Sequence, residues 1–530
     1  MISDQTVIKV PFDNHLEDHV GDVIFTPGSL PSPNFTNFEV RLLPGIDLRP
    51  SQPVAALVRN GNEQILVIGR VTSASESNPH ETVESAVART ELGFGRGYAT
   101  EGEGSTVIYR VASIDVLEQA ELIDSKLQIS APNTLVRAGC PVFTLGQELM
   151  SDAIGLCRDE DSGLYIGTIP GTELKVVIKP DILQRHLLIV GGTGSGKSYC
   201  VGVINEESAT FGIPSISVDS QNEMVESTEQ LKGGRNIKPG TDIKLPLSAF
   251  TAGDIIRAVD GLTDNQQVLL ARTFINLVDE REGSPFSLSD LLNRMESTAK
   301  SLEMKGQTLS MTIGRTKGAL GELTFIGDKP MNWKDIIKPG AHLNIPCKNL
   351  SLEKLRMFVA ALARDLQGLR MTDDASERIP PIRLVLDEAH LLLPEREDTT
   401  CKQVLREWIR IGRHYGLMAT IITQSPIDID KAVIRQCQTR MIFSLERDQL
   451  SALSGVFADA TKEQIDTLPK MPQGTALLTG SFETVRHAIQ VKVRQRVTTH
   501  GGAAPNVFDE LKASGWTKDG KAGLDEILRS

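Results

Sequence analysis

Short apolar runs bounded by turn residues recur along the chain, and their rhythm changes near residue 150. Before that point they predict strands at 6–10, 38–43, 54–59, 64–71, 106–111 and 126–129. Short strands broken by turn signals predict a small barrel or sandwich. Gly93-Phe94-Gly95-Arg96-Gly97-Tyr98, followed by Gly102 and Gly104, reads as an exposed hairpin tip. Beyond residue 150, strands are predicted at 165–169, 174–178, 186–190, 215–218, 341–345, 382–386, 418–423 and 440–445, with a last sheet segment over 468–478. Helical patterns alternate with them at 199–209, 352–369 and 400–415, and residues 251–330 are mainly helical. That alternation predicts an α/β domain. In the 400–415 pattern Val404, Trp408 and Ile411 share one face, joined by Leu405 and Ile409. Arg406, Arg410 and Arg413 recur on another face, and Gly416 is the stop signal. The predicted layout is an N-terminal β-barrel over 1–150, a core over 151–495 with a helical insertion at about 251–330, and a polar tail over 496–530. The tail carries helix-like pieces at 508–511 and 524–528.

Composition narrows the class. Apolar residues make up 40% and charged residues 23% of 530 positions, an ordinary globular balance. No apolar run approaches the ~18 residues of a membrane span. The start, Met1-Ile2-Ser3-Asp4-Gln5, lacks the basic and apolar regions of a signal peptide, so a cytoplasmic protein with no membrane partner is expected. Cys140, Cys157, Cys200, Cys347, Cys401 and Cys437 form no close pair, which argues against a zinc site or disulfide framework and for buried thiols. The net charge of −12 discourages non-specific wrapping of nucleic acid over the whole surface, while leaving room for a basic channel.

The apolar run His186-Leu187-Leu188-Ile189-Val190 leads into Gly191-Gly192-Thr193-Gly194-Ser195-Gly196-Lys197-Ser198, and a helical pattern follows. Glycine, four residues, then Gly-Lys-Ser between a strand and a helix is a P-loop. Gly192, Thr193, Gly194, Ser195 and Gly196 would wrap backbone N–H groups around phosphate oxygens, with the helix N-terminus adding partial positive charge. Lys197 would reach the β- and γ-phosphates, and Ser198 would hold Mg²⁺. The cofactors expected are therefore ATP and Mg²⁺. The strand Ile382-Arg383-Leu384-Val385-Leu386 runs into Asp387-Glu388-Ala389-His390, a Walker B pattern. Asp387 would bind Mg²⁺, and Glu388 would polarise the attacking water as general base. The letters Asp-Glu-Ala-His also mark one class of RNA helicases, but no second motor domain is visible. Gln424, at the tip of another strand, is placed to sense the γ-phosphate and orient water. Arg413 is either a basic residue favoured by a helix C-terminus or an arginine finger at a subunit edge. Asp219 and Glu223, just past a core strand, are either ligand-edge carboxylates or caps. The basic glycine stretch at 232–238, with Lys232, Arg235 and Lys238, reads as a solvated turn. Contact with a phosphate backbone is the alternative, with Arg315 and Lys317 behind it.

These motifs resemble HerA-type ATPases of the HerA/FtsK superfamily. The resemblance rests on the P-loop run, Asp387-Glu388-Ala389-His390, Ile411-Gly412-Arg413-His414-Tyr415-Gly416 and Thr423-Gln424-Ser425-Pro426, continued by Gln436-Cys437-Gln438-Thr439 and Leu468-Pro469. It covers about residues 150–495. The first 150 residues resemble the family's small N-terminal barrel, the HAS-barrel. The resemblance implies a RecA-like ASCE P-loop NTPase core and a homohexameric ring that translocates or unwinds double-stranded DNA. It also implies a partner nuclease such as NurA, or an effector such as a sirtuin-like protein in antiviral defence. An alternative is a ring-shaped ATP-binding scaffold that switches an effector with little DNA movement. A secretion or conjugation motor of the same superfamily is a third reading, without visible membrane helices to support it. One departure is local: where many members have an Asp-Pro-His-Gly-Glu-like run, this chain has Asp219-Ser220-Gln221-Asn222-Glu223.

Overall fold

The computed structural model describes residues 15–26, 32–60, 63–77, 109–123, 126–282, 284–328, 331–457, 460–481 and 485–499. The strand predicted at 6–10, the glycine-rich tip at 93–98 and the tail pieces at 508–511 and 524–528 lie outside these residues.

The first seven strands are β1 (Leu16–Ile24), β2 (Asn37–Leu42), β3 (Pro53–Asn60), β4 (Glu63–Ser77), β5 (Tyr109–Ile123), β6 (Lys126–Ser130) and β7 (Pro141–Leu145). They run in the order β2-β1-β7-β3-β4-β5-β6, and a further pairing of β2 with β5 closes the sheet into a barrel. The long strand β5 makes this possible. Its 111–115 half pairs with β2 and its 119–123 half with β6, while β4 runs alongside both. Phe38, Val40, Val54, Val67 and Ile114 fill the interior. Strands β1 and β7 escape the sequence pattern because neither alternates cleanly, and their mutual register slips twice.

The remaining strands are β8 (Leu164–Thr168), β9 (Lys175–Ile178), β10 (Leu187–Val190), β11 (Ser215–Asp219), β12 (Gly234–Asn236), β13 (Leu245–Pro246), β14 (Ile326–Gly327), β15 (His342–Pro346), β16 (Ile382–Leu386), β17 (Leu417–Thr423), β18 (Thr439–Ile442), β19 (Thr475–Gly480) and β20 (Ile489–Val493). All but the small pair β13–β14 form one sheet, ordered β12-β15-β11-β16-β17-β10-β18-β19-β20-β8-β9. Pairing is parallel from β12 to β18 and antiparallel from there on. Strand β10 is wholly buried because it packs on both faces: Leu188 and Val190 enter one core, Leu187 and Ile189 the other.

Helix α1 (Lys197–Thr210) follows the P-loop. Helices α2 (Ala252–Ala258), α3 (Asp264–Glu280), α4 (Leu288–Ser301) and α5 (Gly306–Gly321) form the expected helical region. They pack on the first core with α6 (Leu352–Met371) and α7 (Thr400–Tyr415). The buried stripe of α7 is Cys401, Leu405, Trp408, Ile409 and Gly412, while Val404 and Ile411 flank it half-buried. The barrel seats on the second core through Ala55, Leu57, Leu66 and Ile68. Buried Arg70 locks that seat: it donates to the Ala488 carbonyl at 2.6 Å and pairs with Asp115 at 2.9 Å.

Two readings change, for residues 232–238 and for the cysteines. Residues 232–238 are not a loop, because Gly234–Asn236 is the edge strand β12 and Ile237 is buried beneath it. Lys232, Arg235 and Lys238 are exposed along that edge, where charge also discourages stray strand pairing. Arg315 donates to the Gly261 carbonyl and Lys317 is exposed. The six cysteines are free thiols, but Cys140 and Cys157 are only half-buried.

His186 ties the parallel core together. Its Nδ1 accepts from the Ala419 N–H at 3.1 Å, so Nε2 carries the proton and donates to the Ile409 carbonyl at 2.8 Å. Burial pushes its pKa down to about 4. An unfolded chain binds a proton at this position below about pH 6.5, while the folded chain excludes it. The stabilisation is therefore complete above pH 6.5 and is lost as pH falls toward 4, by about 2 kcal/mol between pH 7.5 and 5. Urea unfolding at those two pH values should show His186→Gln less stable than the parent at pH 7.5, yet less sensitive to the drop. Parallel losses in the two proteins would remove His186 as the source.

Candidate nucleotide site

The P-loop leaves the carboxyl end of β10 and is anchored from the β18 side. The Gly192 N–H donates to the Ser444 carbonyl at 2.7 Å, and the Gly474 N–H donates to the Ser195 carbonyl at 2.9 Å. Gly194 and Gly196 have φ of 73° and 113°, the left-handed region that favours glycine. The Ser195 hydroxyl donates to the Gly192 carbonyl at 2.7 Å. Lys197 Nζ donates to that same carbonyl at 3.0 Å, so its ammonium lies over the loop. Burial lowers the Lys197 pKa, opposed by the nearby charges of Glu388, Asp387 and Glu223.

Because β17 lies between β10 and β16, Asp387 and Glu388 face the P-loop across one intervening strand. Asp387 is buried and accepts a hydrogen bond from the Ser220 hydroxyl at 3.0 Å. Burial, then the charges of Glu388 and Asp219, push its pKa up to about 7. Glu388 has a left-handed φ of 46°, a strained conformation for a residue with a side chain. Its Oε2 is buried, accepts no hydrogen bond among the described residues and lies 3.3 Å from His390 Nδ1. Such an oxygen is an acceptor waiting for a proton donor, the property a general base needs. Gln424, at the tip of β17, reaches back to the P-loop: its Oε1 accepts from the Thr193 hydroxyl at 2.8 Å.

Asp219 has a local occupation. Its carboxylate accepts from the backbone N–H groups of Glu223 at 3.0 Å and Met224 at 2.9 Å, and from Asn344 at 3.2 Å. It organises the 219–224 turn, so the cap reading holds for it. Glu223 stays half-buried and adds negative potential at Lys197.

The site fits a magnesium–nucleotide pair. Ser198 and Asp387 offer hydroxyl and carboxylate oxygens, the hard donors Mg²⁺ takes. Among the described residues no three His, Cys, Asp or Glu side chains cluster as a metal cage, so phosphate oxygens would complete the coordination. Burial and the neighbouring carboxylates both disfavour the charged form of Asp387, and a divalent cation would offset both.

Arg413 is not brought to this site. It is exposed in the last turn of α7, which feeds β17 at the amino edge of the sheet, whereas the P-loop leaves the carboxyl edge. It lines a polar depression with Asp181, Gln184, Arg185 and His414. The sequence pattern passed over Arg185, which lies two residues before β10 on a short 3₁₀ turn, Pro180–Arg185. Of the other α7 arginines, Arg410 pairs with Glu407 at 2.6 Å and Arg406 lies 3.8 Å from Asp430.

A parallel sheet with one strand between the P-loop strand and the acidic strand, and Lys197, Asp387, Glu388 and Gln424 at one edge, defines an ASCE-type P-loop ATPase with a RecA-like core. Residues 164–366 match the family model described as the central domain of helicase HerA. That match and the curated relatives support a HerA-type ATPase of the HerA/FtsK superfamily. It is 24% identical over 422 residues to the DNA double-strand break repair helicase HerA of Sulfurisphaera tokodaii, covering 76% of this chain and 82% of that one. With the protein of the same name from Pyrococcus furiosus it shares 21% identity over 511 residues, covering 84% and 88%. Among solved structures, VirB4 of Thermoanaerobacter pseudethanolicus aligns with a TM-score of 0.49 at 17% identity, covering 66% of this chain and 98% of that one.

Two substitutions test the site. Lys197→Ala is expected to abolish ATP turnover by removing charge from the β- and γ-phosphates. Glu388→Gln is expected to keep ATP binding and lose about 10²–10⁴-fold in hydrolysis, since an amide is not a base. Equilibrium binding measured beside single-turnover hydrolysis separates the two, and full turnover by Glu388→Gln would remove the Walker B assignment.

Proposed function

We propose that this ATPase works as a homohexameric ring that uses Mg·ATP to translocate or unwind double-stranded DNA, together with a partner nuclease of the NurA kind or another effector. The carrying observation is the split of the machinery between the two edges of one sheet. Lys197, Asp387, Glu388 and Gln424 lie at the carboxyl edge, and Arg413 lies exposed at the amino edge. In a ring so built, a neighbour would bring its Arg413 to this nucleotide. A guanidinium is permanently charged and forked, and suits γ-phosphate oxygens as charge redistributes. Arg185 shares the Arg413 depression and belongs to the same proposed face. DNA as the substrate is supported by the relatives, which are named as DNA double-strand break repair helicases. Among the described residues no helix is long and apolar enough to cross a membrane.

Subunit mixing tests the trans arrangement. Lys197→Ala and Arg413→Ala proteins, each inactive alone, should regain part of the activity when co-assembled. Arg413→Lys should fail like Arg413→Ala, each with a loss on the order of 10³–10⁵. Normal hydrolysis by Arg413→Ala alone would overturn the finger. Light scattering with nucleotide should report a ring of six 57.7-kDa chains. ATPase activity should rise with double-stranded DNA, and the stimulation should weaken as salt increases. Activity indifferent to DNA would favour the scaffold reading.

A further inference from the structure

Past β20 the chain turns back along one face of α1. Tyr199, Gly202 and Glu206 lie on that face at i, i+3 and i+7. The Glu206 carboxylate accepts from the backbone N–H groups of Val497 at 3.0 Å and Thr498 at 2.8 Å, and from the Thr498 hydroxyl at 2.7 Å. Arg494 fastens the same end, pairing with Glu206 at 2.9 Å and Glu207 at 2.6 Å. One turn nearer the P-loop, a Cβ on Gly202 would fall 2.1 Å from Arg496 Cζ. The missing side chain is what lets Arg496 lie across the helix. The Arg496 N–H then donates to the Tyr199 hydroxyl at 2.8 Å, and its guanidinium lies 5.7 Å from the centre of the Tyr199 ring.

Tyr199 directly follows Ser198, so at Arg496 this strap touches α1 beside the phosphate loop. The direction of a bound nucleotide is set by the other end of the site. Lys197, Asp387 and Gln424 gather around the β- and γ-phosphate end, and P-loop N–H groups cradle the α- and β-phosphates. The sugar and base must therefore leave past the first turn of α1, away from Asp387. There the half-buried Tyr199 ring is backed by Arg496. We propose that Tyr199, held in place by the C-terminal strap through Arg496, is the nucleoside platform of this site. The inference rests on the ATPase reading above. Tyr199 touches the nucleoside, and Arg496, only 4% exposed, is a positioning residue that acts through it.

The test compares Mg·ATP with Mg·tripolyphosphate, which has the phosphates and no nucleoside. In the full-length protein, Tyr199→Ala should weaken ATP binding roughly tenfold, the scale of an aromatic stack on a base. Tripolyphosphate affinity should not change. Equal weakening of both ligands would mean that Tyr199 only supports the P-loop helix, and no weakening of either would mean that it faces no ligand; each overturns the proposal. Tyr199→Trp gives a second reading that needs no loss of affinity: its added fluorescence should respond to ATP and not to tripolyphosphate. Indole fluorescence from that variant that is blind to ATP would overturn the platform as well. A parent protein that binds neither ligand would instead sink the nucleotide site itself.

Discussion

The nucleotide site depends on one constraint, the insertion of β17 between β10 and β16. Neighbouring strands lie about 4.8 Å apart, so the P-loop strand and the acidic strand are held about 10 Å apart. Direct pairing would bring Asp387 and Glu388 against the P-loop backbone and leave no room for phosphate, cation and water. The interposed strand also ends in Gln424, which closes the gap from the middle through Thr193. The spacing is held by apolar packing on both faces of β10 and by His186, which bonds to α7 and β17 at once.

The charge distribution follows from that geometry. Glu388, Asp387 and Glu223 act on the Lys197 ammonium, and Asp219 acts in turn on Asp387. Burial first, and then the neighbouring carboxylates, raise the pKa of Asp387, while Glu388 is left strained in backbone and, among the described residues, without a hydrogen-bond donor at Oε2. Both are costs to the isolated chain that a cation and a polarised water would offset.

Much of the core was legible because its signals are local. The P-loop needs eight consecutive residues, the acidic strand seven, and the helix bearing Arg413 carries its own periodicity and its own glycine stop. What could not be read depends on distant partners. The barrel strands β1 and β7 lack clean alternation and are specified by each other and by β2 and β3. The basic stretch around Arg235 looked like a turn because its glycines are visible, whereas its pairing partner β15 lies more than a hundred residues on. The occupation of Asp219 was hidden because Asn344 reaches it from another strand. Gly202 offered a faint clue, a glycine in mid-helix, but its reason, Arg496, lies at the far end of the described chain.

Helix α7 has a mechanical meaning in the proposed ring. Its first residue lies twelve positions beyond Glu388, and its last turn carries Arg413 about 20 Å further on, at about 1.5 Å per residue. Trp408 bonds to the Met418 carbonyl, and His186 clamps Ile409 to the root of the strand that carries the P-loop. The helix cannot pivot without disturbing β10. In that proposed ring, α7 would couple the root of one subunit's phosphate-loop strand to the guanidinium it offers the next, as one rigid lever.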